Sequence, residues 1–380
     1  MELNELRVQI DEIDKSIVEL FSKRMDVVKD IALCKKDSGK KVYDPERERK
    51  KLCEIAELAG EDMRGYTNPL YSLMMDLSKV YQDKVIGGEK ELSVKIRNAV
   101  ANTRELFPEF ATVACQGIEG AYSQMACERL FTTPNIMYFK NFDAVFTAIE
   151  KGFCQYGVLP IENSTAGSVN QVYDLMMSHN FSIVRSVRVK IDHCLVACEG
   201  VKLSDIKEVV SHEQAISQCT EFIKSLGNVK VTVCENTAEA AKLVAESGRR
   251  DLAALSSGSC AKLYGLDCLK ESVQDKGSNF TRFICISKEL EIYPGADKTS
   301  IMAVTHHRPG ALYKLLSRFY AQGVNLTKLE SRPLPDKDFE FMFYFDLEKS
   351  VYSDDFIKLL GEMDEMCERF EYLGSYTEVV

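Results

Sequence analysis

The sequence predicts a multidomain chain with three unlike parts: an all-helical module, an α/β domain of two lobes, and a C-terminal α+β unit. Three observations predict it. Residues 1–84 carry apolar side chains at three-four spacing, the period of a helix. Residues 111–291 alternate short β-rich runs with helical stretches, the rhythm of an α/β fold. Residues 298–380 read strand, helix, strand, strand, helix, strand, the ferredoxin-like order.

Composition bounds what such a chain can do. At 380 residues it has room for two to three domains. Lys and Arg number 48 against 58 Asp and Glu, and the formal charge of −10 disfavours a nucleic-acid partner, because phosphate binding wants positive surface. No apolar run reaches the roughly 18 residues that span a bilayer. The opening MELNELRVQIDEIDK is charged throughout, unlike a signal peptide. The expectation is a soluble, cytoplasmic protein without a membrane partner. Of the thirteen cysteines, none in a C-x-x-C pair, most read as buried thiols in a reducing compartment, not as a disulfide framework or zinc site. Five histidines without an H-E-x-x-H give no support for a metal, and no cofactor is expected.

In the helical module, Leu3, Leu6, Ile10, Ile13, Ile17, Leu20, Arg24, Val27, Ile31 and Cys34 follow a heptad seam. No Gly or Pro interrupts before Gly39, which predicts a helix of about 36 residues, about 54 Å long at 1.5 Å per residue. That stripe is too long to bury within one small domain, so a second copy of the chain is expected to cover it. Asp44-Pro45 supplies an N-cap and a first-turn proline, opening a second helix that runs to Gly60. Asn68-Pro69 repeats the signal and predicts a third, with Leu70, Leu73, Leu77 and Tyr81 on one face.

Arg24 is out of place in an apolar seam. Lys35 follows eleven residues later, which at 100° per residue returns it to within about 20° of Arg24 and about 16 Å further along. Burying two cations on one face costs several kcal/mol per ion unless an anion compensates. Arg7 points away from both, toward a different neighbour. Asp44, Arg47 and Glu48 on the second helix, and Ser78 and Gln82 four apart on the third, complete a set suited to a small dianion carrying a hydroxyl. An inert coiled-coil arm is the plain alternative.

The pattern L-R-x16-R-x10-K, then D-P-E-R-E, then S-K-V-Y-Q resembles the all-helical chorismate mutases, with every motif position filled. The resemblance implies an intertwined dimer that rearranges chorismate to prephenate, a Claisen shift needing only a held conformer and charge stabilisation at the breaking ether bond. It also implies roles. Arg7 from the partner, Arg24 and Arg47 hold the carboxylates. Lys35 and Gln82 donate to the ether oxygen. Glu48 and Asp44 take the ring hydroxyl, with Ser78 close by.

Residues 85–110, starting at Gly87-Gly88 and ending near Pro108, read as a charged linker, either a surface helix or a tether. In the α/β segment, strands are expected at TVAC, IMYF, YGVLPI, KEVVS, VKVTVCE and LAALS. Helices are expected over 122–131, 142–151, 214–226 and 237–246, with mostly parallel sheets. The run SIVRSVRVKIDHCLVACE crosses between two lobes, which predicts a binding-protein-like arrangement around a cleft. Polar groups cluster where strands give way to helices, at Gly120–Ser123, Glu162–Thr165 and Ser211-His212, with Gln218 further along. Such groups suit carboxylate ligands, though each alone is also what a plain helix cap would show. No G-x-G-x-x-G occurs, against a dinucleotide-dependent dehydrogenase.

G-A-Y-S, G-V-L-P-I-E-N-S-T-A-G-S-V, I-D-H-C-L, S-H-E-Q-A and N-F-T-R-F in this order resemble prephenate dehydratase. That family removes water and carbon dioxide together from prephenate to give phenylpyruvate, so the protein must bind two carboxylates and help a hydroxyl leave. The resemblance assigns Thr281 to that hydroxyl. It places Glu162, Asn163, Ser164, Thr165, Ser211, Gln218 and Arg282 around the cleft. Two departures stand out: Glu213, where the family often has proline, and Ile118-Glu119, where prolines are common. The added charge of Glu213 is expected to weaken dianion binding.

In the last unit, Gly310-Ala311-Leu312 opens a helix and Glu330-Ser331-Arg332-Pro333 closes a strand. These resemble the ACT regulatory domains fused to prephenate dehydratases, which implies an L-phenylalanine site at a subunit interface. A dimerisation domain without ligand is the plain reading. Taken together, the three resemblances imply a bifunctional enzyme of phenylalanine biosynthesis in which the first module feeds the second and the end product regulates. The implied assembly is a homodimer, with a tetramer left open. Two rivals are a non-catalytic small-molecule sensor, and a mutase joined to a dehydrogenase.

Overall fold

Thirty-six residues without Gly or Pro, Leu3–Ser38, form helix α1, and Gly39 ends it in the left-handed region with φ 64°. The computed structural model describes residues 2–39, 42, 44–87, 90–307, 309–334 and 340–380. They divide into two units, Met1–Lys90 and Glu91–Val380.

In the first unit, Asp44 Oδ1 accepts the Arg47 N–H at 3.0 Å, the expected cap, and α2 (Pro45–Ile86) follows. Gly60, at φ 73° and ψ 172°, breaks α2 at the expected place. The expected third start at Asn68-Pro69 is not used: Pro69 lies inside the helix. After Gly60 the helix is renucleated at once. Propagating it past one missing N–H costs less than opening a new nucleus eight residues later. The side of α1 turned to α2 carries buried Val28 and Ala32, with Arg24 and Lys35 half-buried beside them. Leu3, Leu6, Ile10, Ile13, Ile17 and Leu20 are 39–65 % exposed, so the N-terminal half of the apolar seam has no cover within the described chain.

The expected linker behaves differently from a tether. Its beginning at Gly87-Gly88 lies partly outside the described residues, but α3 (Glu91–Asn102) belongs to the second unit's core. Ile96 is fully buried there with Ile292, Phe356 and Leu360, and Ser93 Oγ donates to the Ile357 carbonyl at 3.1 Å. Leu92, Ile96 and Ala99 share one face of an otherwise polar helix, which is how a core helix passed as a surface one.

The middle domain begins with β1 (Phe110–Gln116), α4 (Tyr122–Leu130), β2 (Thr133–Phe139) and α5 (Phe142–Glu150). It continues with β3 (Tyr156–Asn163), β4 (Gly167–Ser168), α6 (Asn170–Met176) and β5 (Ser182–Lys190). The chain then crosses to a second lobe, as expected, through β6 (Cys194–Ala197), β7 (Glu208–Ser211), α7 (Glu213–Gln218), α8 (Thr220–Ser225) and β8 (Lys230–Val233). That lobe closes with α9 (Thr237–Ser247), β9 (Leu252–Ser256), α10 (Gly258–Tyr264) and β10 (Asp267–Lys270), and β11 (Phe280–Ser287) returns to the first.

The sheets are mixed, not mostly parallel. β1 pairs parallel with β2 and β3, but β11 runs antiparallel to both β3 and β5, and β6 runs antiparallel to β9 and β10. Gly120, at φ 90°, sits where a Cβ would lie 2.8 Å from Cys260 Sγ, so the G-A-Y-S turn brings the lobes into close approach.

The C-terminal domain runs β12 (Lys298–Val304), α11 (Ala311–Ala321), β13 (Asn325–Pro333), β14 (Phe341–Glu348), α12 (Asp354–Met366) and β15 (Arg369–Tyr376). Its antiparallel sheet has the order β13-β14-β12-β15. β16 (Glu378–Val379) then pairs with β5 of the middle domain, giving that sheet the order β16-β5-β11-β3-β1-β2. At Gly374 a Cβ would overlap the Ile183 carbonyl, so β15 also lies hard against β5. One hydrophobic cluster joins the two domains: Leu159, Ile161, Tyr173 and Ile284 pack with Met302, Tyr344 and Tyr376. All thirteen cysteines are free thiols. Among the described residues no helix is long and apolar enough to cross a membrane.

Candidate functional sites

In the N-terminal unit the α1 and α2 faces meet around Arg24. Its Nη1 donates to Ser78 Oγ and, at 3.4 Å, to the Met74 carbonyl; the Ser78 hydroxyl donates in turn to that carbonyl at 2.6 Å. A half-buried guanidinium is thus fixed by neutral oxygens. Gln82, one turn on, is 7 % exposed; its Nε2 reaches the Ser78 carbonyl at 3.4 Å and its Oε1 has no partner. Lys35 Nζ donates to the Val42 carbonyl at 2.7 Å. Glu48 pairs with Lys79 at 3.1 Å, and Lys79 also meets Asp76 at 2.7 Å.

The structure therefore brings Arg24, Ser78 and Gln82 together, and sets Glu48 opposite Lys79, a residue the sequence reading passed over inside S-K-V-Y-Q. Asp44 and Arg47 are exposed at the start of α2. Arg7 is exposed on α1, seventeen residues and so about 25 Å from Arg24 along one helix. No single copy can close both around one small ligand.

In the middle domain a cleft of about 250 Å³ opens where the lobes meet, lined by Thr165, Ala166, Ser217, Gln218, Gln274, Asp275, Lys276 and Asn279. Beneath it Asn163, 6 % exposed, organises a one-directional network. Its Oδ1 accepts the Thr165 and Ala166 N–H groups at 3.0 and 2.8 Å, which settles the amide's orientation. Its Nδ2 then donates to Thr281 Oγ1 at 2.9 Å and Asn279 Oδ1 at 2.8 Å. Asn279 Nδ2 donates to Gln218 Oε1 at 2.9 Å, and that oxygen also meets His193 Nε2 at 3.1 Å. Because Thr281 accepts from Asn163, its own O–H is left to point elsewhere.

His193 is 2 % exposed, with the Tyr122 ring edge-on at 6.0 Å, and its Nδ1 has no partner. Burial lowers its pKa against the opposing pull of Gln218 and nearby Asp192, so the imidazole is held neutral. Asp275 caps α8 through the N–H groups of Thr220 and Glu221, both at 3.1 Å, leaving Lys276 as the lining cation. His193, Gln274, Lys276 and Asn279 were missed as site residues, although His193 and Asn279 stand inside I-D-H-C-L and N-F-T-R-F.

The expected cleft set needs correcting at three positions. Thr165 and Gln218 line the cleft, Asn163 and Thr281 lie beneath it, and Ser164 holds the adjoining loop by accepting the Phe280 N–H at 2.9 Å. Ser211 is fully buried and donates to the Leu255 carbonyl at 2.7 Å, so its hydroxyl is spent within the second lobe's sheet. Glu162 and Arg282 face the C-terminal domain, because side chains alternate along a strand and Asn163 and Thr281 take the cleft side. Glu213 is exposed in the first turn of α7 and is absent from the cleft lining, so its expected influence on a bound dianion is not seen in the geometry.

In the C-terminal domain, Gly310 caps α11 at φ 79°, and Ala311 and Leu312 begin the helix. Along β13, Glu330 and Arg332 turn toward the middle domain: Glu330 accepts from Ser168 Oγ, and Arg332 grips Asp174 through Nε and Nη2 at 2.7 and 2.9 Å. Ser331 and Pro333 are exposed on the opposite side of the strand. Two of the seven residues expected at an effector site, Glu330 and Arg332, are thus tied to the neighbouring domain. Among the described residues no three His, Cys, Asp or Glu side chains cluster as metal ligands would.

Residues 113–291 match the family model for prephenate dehydratase, and residues 6–83 that for chorismate mutase type II. The chain is 32 % identical to the bifunctional chorismate mutase/prephenate dehydratase of Aquifex aeolicus, with 100 % of this chain and 99 % of that one aligned. It is 35 % identical to arogenate dehydratase/prephenate dehydratase 2 of Arabidopsis thaliana, over 85 % of each. Among solved structures, prephenate dehydratase from Arthrobacter aurescens in complex with L-Phe superposes with a TM-score of 0.65 at 28 % identity, covering 70 % of this chain and 90 % of that one.

Proposed function

The chain belongs to the bifunctional chorismate mutase/prephenate dehydratase family, and from that premise we propose how its residues divide the work. The enzyme converts chorismate to prephenate in the helical module and prephenate to phenylpyruvate in the middle domain. It serves phenylalanine biosynthesis and is restrained by L-phenylalanine.

In the helical module Arg24, pre-set by Ser78, and Arg47 take the substrate carboxylates, and Arg7 reaches in from a second copy. Lys35 and Gln82 donate to the ether oxygen as negative charge grows there; the Gln82 Nε2, buried and held only by a long 3.4 Å contact to the Ser78 carbonyl, is the donor for that role. Glu48 and Asp44 receive the ring hydroxyl. The 39–65 % exposure of the α1 seam supports an intertwined dimer, since covering it buries apolar surface at about 25 cal/mol per Å².

In the middle domain the observation that carries the reading is the Asn163–Thr281 hydrogen bond at 2.9 Å. With a lone pair committed to Asn163, Thr281 presents its O–H to the departing hydroxyl, which takes one proton from solvent and leaves as water; the ring carboxylate leaves as carbon dioxide, and its C–C bonding pair completes the aromatic ring. A threonine is a weak acid, so its part is orientation and polarisation as the C–O bond breaks. Lys276 and the amides of Gln218 and Gln274 receive the carboxylates. Ala311, Leu312, Ser331 and Pro333, with Gly310, Glu330 and Arg332 at their edges, form the L-phenylalanine site once a second copy completes it. The setting is the cytoplasm, and no cofactor takes part.

The test is Thr281→Val, which keeps the shape and removes the hydroxyl. Dehydratase turnover of supplied prephenate should fall about a hundredfold or more while mutase activity stays; wild-type dehydratase turnover would overturn the assignment.

A further inference from the structure

Glu162 and Arg282 turn away from the cleft in a consistent way, and any role they have in the reaction rests on the part proposed for Thr281 and Asn163. β3 and β11 are antiparallel neighbours in which Thr281 pairs with Asn163 and Arg282 with Glu162, and a bulge follows Arg282. Each cleft residue is therefore chain-adjacent to a charged residue on the opposite face. Arg282, 9 % exposed, places Nη2 2.5 Å from Asp346 Oδ2 and 3.5 Å from Glu162 Oε2. Asp346, on β14, is 1 % exposed and accepts the Ser300 hydroxyl of β12 at 2.5 Å; Tyr376 and Tyr344 reach the same hydroxyl at 2.7 and 3.0 Å. Lys328, on β13, donates to Glu162 Oε1 at 2.8 Å and to Ser168 Oγ at 2.7 Å.

Two strands of the C-terminal sheet, β13 and β14, thus grip the two strands that carry Asn163 and Thr281, and β12 braces Asp346 through Ser300. A buried ion pair is poor glue, because desolvation cancels much of the attraction and apolar side chains of like volume would hold as well. What it adds is direction. We propose that Arg282, held by Asp346, is a positioning residue for the dehydratase reaction: it fixes the bulged end of β11 and so the angle at which Thr281 presents its hydroxyl. Lys328 does the same for Asn163 through Glu162, and the C-terminal domain thereby sets the geometry of a site it does not line.

The test uses the full chain, with kcat and KM for supplied prephenate measured separately and mutase activity in the same sample as a control for folding. Arg282→Met combined with Asp346→Leu removes the pair without stranding a buried charge. Dehydratase kcat should fall about tenfold or more with KM within about threefold, since a displacement of the order of 1 Å at reacting groups costs up to about a hundredfold. Arg282→Lys, which restores a cation to Asp346, should recover part of kcat. Lys328→Met should show the same split more weakly. A folded double variant with wild-type kcat, or one altered only in KM, overturns the proposal; should that variant not fold, wild-type kcat in both Arg282→Lys and Lys328→Met overturns it. Thr281→Val separates the two levels. If it is inactive while the pair variants are normal, only this inference fails; if it is fully active, the cleft reading fails first.

Discussion

Asn163→Asp changes one atom and reverses one hydrogen bond. The side chain makes five contacts, three accepted at Oδ1 and two donated from Nδ2. In the variant the accepted bonds persist, but a carboxylate oxygen now faces Thr281 Oγ1 and Asn279 Oδ1, both acceptors in the native network. Asn279 cannot simply turn over, because its Nδ2 is engaged by Gln218 at 2.9 Å. Thr281 can, and its hydroxyl then donates to the new carboxylate instead of to the substrate. Losing one aligned donor at a reacting oxygen costs about 10²–10³ in kcat, about 2.7–4 kcal/mol. KM should rise as well, since the substrate is a dianion.

The assay follows phenylpyruvate from supplied prephenate between pH 5 and 8. At a position only 6 % exposed, desolvation raises the pKa of the new carboxyl while the Thr165 and Ala166 N–H groups that it still accepts lower it, so a gap to the native enzyme that narrows at low pH shows desolvation to be the larger effect. A kcat within about threefold of native at the upper end of that range would contradict the part given to Asn163.

Lys35→Ala should abolish prephenate formation from chorismate and leave turnover of supplied prephenate intact, measured by following each product. Ile10→Glu with Ile17→Glu places charges on the exposed α1 seam, and should abolish mutase activity as Arg7 of the partner is withdrawn, with dehydratase turnover of supplied prephenate kept as the folding control. His193 has a folded pKa below the unfolded value near 6.5, so the unfolded chain binds the proton first and stability falls as pH drops below about 6.5. Thermal unfolding of the native protein should show that loss, and His193→Gln should reduce it.

Much of the architecture was legible in the sequence because it was written in local patterns. The 36-residue helix needed only uninterrupted periodicity and Gly39, and the β-α-β-β-α-β unit only alternating runs with turn signals between. What was not legible depended on partners distant in the chain. Glu162 and Arg282 stand next to cleft residues, and only strand alternation and the presence of Asp346 and Lys328 send them the other way. Ser211 looked like a helix-start ligand but its hydroxyl meets the Leu255 carbonyl, forty-four residues on. The α3 helix hid a core face among charges, and Pro69 signalled a start that Gly60 had already supplied. His193 and Asn279 were present in quoted motifs; only the hydrogen-bond chain through Gln218 gives them roles.

The most direct measurement gives the purified protein chorismate alone and follows prephenate and phenylpyruvate separately, with and without L-phenylalanine. Phenylpyruvate should form without any added cofactor, after a transient of prephenate, and its formation should slow when L-phenylalanine is present. Prephenate accumulating with no phenylpyruvate would contradict the dehydratase assignment, leaving a mutase joined to a domain that binds without turning over.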